Sequence, residues 1–187
     1  FENPENLFEN GFSMDGSYSY DGSSMIFDIK DNGDDASGTV QTGGSMLNFG
    51  LDKSSMAYDA QASGLVAQIT VPDLPFPVEL SMAEYGVGFE MPLAQTEEPA
   101  DFGVNFDLID LKVSDQIWSM VDPTNAFGRD PATISLGLSG TAKMFFDILD
   151  PEQAAAMENS DVPGELHTLN LDRLKLAVAG ALLTGEG

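Results

Sequence analysis

The chain has 187 residues, 42% of them hydrophobic, which is long enough for one domain with a sizeable core. Seven Lys and Arg against 31 Asp and Glu leave a net charge of −24, which repels nucleic acid and anionic membrane surfaces, because binding to either needs clustered basic side chains. Cysteine is absent, so there is no disulfide, thiolate metal site or Cys nucleophile, and no apolar run reaches the roughly 20 residues of a transmembrane helix.

From the N-terminus, apolar residues recur with a period of two. Phe12, Met14, Gly16, Tyr18 and Tyr20 share one parity, followed by Met25, Phe27 and Ile29, by Leu47, Phe49 and Leu51, and by Leu65, Ala67, Ile69 and Val71. Such alternation predicts half-buried strands. Asp21-Gly22-Ser23, Asp31-Asn32-Gly33-Asp34, Gly43-Gly44 and Asp52-Lys53-Ser54-Ser55 lie between the runs and read as chain reversals. Asp31, Asp34 and Asp35 form the densest oxygen cluster and the candidate ligand set for Ca²⁺, although their order is not that of an EF-hand and a solvated hairpin tip is the plainer reading. No other cofactor is expected.

Val78, Leu80 and Met82, then Tyr85, Val87, Phe89 and Met91, form a further pair of runs with a parity change near Glu84. Phe106 to Val113 carries two alternating apolar residues, a slip, and two more. Ser114 to Val121 reads as a short helix ending before Pro123. The longest alternation runs from Ile134 through Leu136, Leu138, Gly140, Ala142, Met144 and Phe146 to Ile148, with a bend expected at Gly140. Asp150, then Pro151 and an Ala-rich run to Glu158, is a strong helix start, with an Asp N-cap and Pro in the first turn.

The segment from Leu169 to Gly185 fits either an amphipathic helix or a broken strand. Its slip at Asp172-Arg173 repeats the form of Phe106 to Val113, and Gly180 disfavours a helix interior, so residues 165–185 read as β. The fold class is therefore mainly β: a long antiparallel curved sheet, as a meander, open barrel or half-barrel, with short helices near 114–121 and 151–158. Residues 1–187 read as a single β-rich domain, with further chain expected after residue 187.

The run Asp130-Pro131-Ala132-Thr133-Ile134-Ser135-Leu136, the helix start at Leu149 to Ala154, Pro163-Gly164-Glu165-Leu166-His167 and Ala179 to Gly185 resemble an uncharacterised alphaproteobacterial family, domain of unknown function 2125. The resemblance is clearest over residues 120–187. It implies an exported, periplasmic protein with a further C-terminal portion, and it carries no activity or catalytic residues to transfer. The texture of paired leucines and spaced glycines is also similar to the long sheets of AsmA-like envelope proteins that handle lipids, a likeness of fold alone.

His167 is the sole histidine, and no nucleophile elbow, phosphate loop or zinc-binding helix motif accompanies it. No catalytic residue is assigned, and the chain reads as a non-enzyme. Phe102, Val104 and Phe106 with Ile134, Leu136, Leu138, Met144 and Phe146 are the candidate apolar binding face, since an open face rich in Phe and Met must be covered by something. The expected function is binding of a lipid, another apolar ligand or a partner segment. The alternatives are an accessory subunit docked on an envelope complex and, third, a carboxylate-based hydrolase.

Overall fold

The period-two patterning becomes one antiparallel sheet of ten strands, not closed into a barrel, in the computed structural model, which describes residues 11–31 and 35–187. Strand accounts for 61% and helix for 9%. In chain order the elements are β1 (Met14–Tyr20), β2 (Ser23–Ile29), β3 (Ala36–Thr42), β4 (Ser45–Leu51), β5 (Ser55–Thr70), β6 (Val78–Pro92), β7 (Ala100–Val113), α1 (Asp115–Val121), β8 (Ala132–Met144), α2 (Pro151–Glu158), β9 (Gly164–Val178) and β10 (Ala181–Gly185). From β5 onward each strand pairs with its neighbours in sequence. The 16 residues of β5 span about 50 Å at the usual rise per residue.

Two of the expected reversals are not reversals. β3 and β4 both pair with β5, through residues 37–41 and 45–51 respectively, and so lie end to end along it. β1 and β2 lie end to end in the same way, β1 against β4 and β2 against β3. Asp21-Gly22 and Gly43-Gly44 therefore interrupt long strands without turning them back. Gly43 N–H donates to Ser63 O at 2.7 Å and Ser63 N–H donates to Gly44 O at 2.9 Å, so the ladder crosses the gap. Opposite it, Gly64 has φ +62°, a conformation that favours glycine. The reversal expected at Asp52 is present: its carboxylate accepts from the backbone N–H of Ser54 at 2.6 Å and of Ser55 at 2.8 Å. Of the turn expected at Asp31 to Asp34, residues 32–34 lie outside the described residues.

Both parity slips are β-bulges. In β7 the register passes from Leu108 opposite Ile134 to Leu111 opposite Ala132, which leaves an extra residue on β7, where Asp110 has φ +53°. In β9, Arg173 faces Gly137 and Leu171 faces Leu138, so Asp172 is the inserted residue. A second insertion, at His167, separates Thr168 from Leu166. The irregularities thus flank Gly140 and sit on β9, while Gly140 itself is a close contact: a Cβ there would fall on the Thr168 carbonyl and on the Phe102 ring. β8 stops at Met144, so Phe146 and Ile148 do not extend the alternation; Phe146 lies in a bend that leads to α2.

The last stretch is a β-hairpin. Val178 faces Ala181 across a two-residue loop in which Ala179 has φ 51° and Gly180 φ 82°, as a type I′ turn requires. α2 begins as its sequence predicts, with the Asp150 carboxylate accepting from Glu152 N–H at 2.9 Å and Gln153 N–H at 3.3 Å. After α1, the buried Asp122 carboxylate accepts from the N–H groups of Ala126 and Phe127, both at 2.9 Å, which ties down the link to β8.

Candidate functional site

Partners across an antiparallel ladder project to the same face, so register sorts the side chains. One row across the sheet reads Tyr20, Ser45, Ala62, Tyr85, Leu108, Ile134, Leu176 and Leu183. The next reads Tyr18, Leu47, Ala60, Val87, Phe106, Leu136 and Leu174, and the one beyond it Gly16, Phe49, Tyr58, Phe89, Val104, Leu138 and Leu171. No charged residue occurs in these rows. The intervening rows, on the other face, hold Asp15, Asp59, Glu90, Asn105, Asp107, Ser139 and Arg173. The sheet therefore has an uncharged greasy side and an acidic polar side.

Nothing among the described residues covers the greasy side. Its apolar residues are half-buried to exposed, Val87 at 43%, Val104 at 44% and Leu169 at 56%, and among the described residues the buried hydrophobic core is only Ala62, Ala67 and Leu93. The accessible surface of 12195 Å² is well above the about 8,700 Å² expected for a compact monomer of 19.9 kDa. Sheets normally bury one face against a second layer, and this one stands as a single layer.

Six of the eight residues chosen for the apolar face lie together on it. Phe102, Val104 and Phe106 of β7 face Gly140, Leu138 and Leu136 of β8, and Ile134 faces Leu108. Met144 is at the end of β8, opposite Gly164, and Phe146 lies beyond the strand. The sequence reading missed Tyr58, although Met56 and Tyr58 share the parity that strand spacing would have flagged. It also missed that Tyr18, Tyr20, Tyr58 and Tyr85, all the tyrosines of the chain, line one apolar pocket of about 310 Å³. Tyr58 stacks on Phe89 with ring centroids 5.5 Å apart, and the Tyr18 and Tyr20 rings lie 5.9 Å apart.

The polar side holds a wider groove of about 760 Å³, between Asp15, Asn48, Asp59, Glu90, Asn105 and Arg173. Several of its groups are already bonded: Arg173 to Asp107 outside the groove, and Ser139 donating to Asp172 at 2.9 Å within it. Its size therefore counts for less than the uncovered face opposite. Of the candidate Ca²⁺ ligands, Asp34 lies outside the described residues, and Asp35 is 3.6 Å from the Lys30 ammonium, which also meets Asp28 at 3.0 Å. Among the described residues no group of three or more His, Cys, Asp or Glu is arranged to hold a metal ion. His167, at the β9 insertion, has Glu165 3.9 Å away. No helix among the described residues is long and apolar enough to cross a membrane.

No family model, curated protein or solved structure matches the chain. The functional reading therefore rests on the geometry.

Proposed function

We propose that this protein is a non-enzymatic binding protein whose uncovered sheet face holds the acyl chain of a lipid. The observation that carries the reading is the absence of charge from three successive cross-strand rows that no second layer among the described residues covers. A protein partner is held in one register by polar and charged groups placed among the apolar ones. A face without charged groups suits a featureless hydrocarbon, and Met56, Met91, Phe89 and Phe106 supply a surface that adapts to it. The acidic side then keeps the loaded protein hydrated. A periplasmic setting is supported by the family resemblance alone.

The test is native mass spectrometry and calorimetry of the protein with a lysophospholipid below its micellar concentration. One-to-one binding that is lost in Val104→Asp and Phe106→Asp, with unchanged circular dichroism, is expected. Absence of lipid binding, or binding indifferent to both substitutions, overturns the reading. A stable complex with an envelope protein that buries this face would replace it with the accessory-subunit reading.

A further inference from the structure

The four tyrosines frame a slot that the rest of the face lacks. In the row Tyr20, Ser45, Ala62, Tyr85, two aromatic residues stand at the ends and two small ones between them. Because β1, β4, β5 and β6 are successive neighbours, the backbones of Tyr20 and Tyr85 are about 14 Å apart, three strand spacings. That width admits two rings with a group between them, over a floor of Ser45, Ala60 and Ala62. Tyr18 widens one wall, and Tyr58, braced by Phe89, closes the lower end.

We propose that this slot takes a quaternary ammonium group, borne by a choline-type lipid headgroup or by a free trimethylammonium compound. Aromatic faces carry negative potential and attract a cation whose charge is spread under methyl groups, at little desolvation cost. Neither a basic nor an acidic side chain lines the slot, so a small, strongly hydrated ammonium has no carboxylate to pair with there. From the N-terminus through β6 the only basic residues are Lys30 and Lys53, both in connections between strands, while the whole chain carries −24. That field draws cations toward the sheet and repels anions. The inference deepens the acyl-chain reading, on which it rests, when the cation is lipid-borne; a free cation needs only the slot.

The probes are choline and its neutral isostere 3,3-dimethylbutan-1-ol, titrated calorimetrically into the 187-residue protein at low salt, beside lysophosphatidylcholine and lysophosphatidylglycerol of equal chain length. Choline is expected to bind at least about tenfold more tightly than the isostere. Tyr85→Leu and Tyr20→Leu remove that preference, whereas Tyr85→Phe, which keeps the ring, retains most of it. Equal affinity for choline and the isostere, or a preference that survives both leucine substitutions, overturns the proposal. Equal binding of the two lysolipids without choline binding removes the tyrosine slot and leaves the acyl-chain reading in place. Choline binding with neither lysolipid removes the acyl-chain reading and assigns the slot to a free cation.

Discussion

Arg173 on β9 reaches over β8 to Asp107 on β7, its Nη2 lying 2.8 Å and 3.0 Å from the two carboxylate oxygens. The residue facing Arg173 on β8 is Gly137. Arg173 is half exposed, so the pair contributes about 0.5–1 kcal/mol. Its two halves are not equivalent in a chain of charge −24. Arg173→Ala removes one of seven basic residues and leaves Asp107 without its guanidinium partner in a strongly acidic chain, whereas Asp107→Ala also lowers the net repulsion. Urea denaturation is expected to show a larger loss for Arg173→Ala than for Asp107→Ala; equal losses would mean that the surrounding charge does not matter.

The β9–β10 hairpin turns through Ala179 at φ 51°, where a Cβ is strained. Asn tolerates this region and precedes Gly180 in the favoured Asn-Gly pair. Ala179→Asn is expected to stabilise the protein by about 0.5–1 kcal/mol, raising the melting temperature by about 1–4 °C. An unchanged melting temperature would show that the hairpin frays before the rest of the sheet unfolds.

At Gly140 the opposite change is expected. An added methyl would meet the Thr168 carbonyl and the Phe102 ring, whose Cε1 and Cζ lie 2.9 Å from its position. Gly140→Ala should cost about 1–3 kcal/mol, as overpacking does. Gly137→Ala, whose methyl would find only ordinary contacts at 3.6–3.7 Å, is the tolerated comparison.

Three carboxylates are held below their ordinary value of 3.8 by hydrogen bonds to the charged form: Asp52 by the Ser54 hydroxyl and backbone, Asp122 by the N–H groups of Phe127 and Ala126, and Asp150 by Gln153 and Glu152. Because the folded state depresses these values, their contribution is fully present above the unfolded value and is lost as pH falls through the folded one. The self-repulsion of −24 acts in the other direction and weakens as other carboxylates protonate. Stability is expected to rise from pH 7 toward about 4–5 and to fall below about pH 4. At pH 7, raising ionic strength from 0.01 to 0.15 M shortens the screening length from about 30 to about 8 Å and should raise the denaturation midpoint. A midpoint insensitive to salt would show that the charges do not strain the fold.

Much of this was legible from spacing alone. The bulges at Asp110 and Asp172 follow from parity slips, since one inserted residue swaps faces, and the α2 start follows from Asp150-Pro151. The end-to-end strands at Asp21-Gly22 and Gly43-Gly44 were not legible, because a glycine break looks the same whether the chain continues or turns back, and only the partner strand decides. The tyrosine slot was hidden for the same reason: Tyr18, Tyr58 and Tyr85 belong to three strands, and their meeting depends on register. The end of β8 at Met144 was missed because Phe146 and Ile148 keep the parity after the backbone has left the ladder.

From β6 to β10, each strand pairs only with those beside it in sequence, so this part of the sheet is quasi-one-dimensional in its energetics. Opening can begin at the short β10 and travel inward strand by strand, while β6 and β7, paired on both sides, hold longest. Amide exchange would then record a gradient of protection along the chain, and a ligand lying across many strands would act as a clasp that makes their separate openings collective.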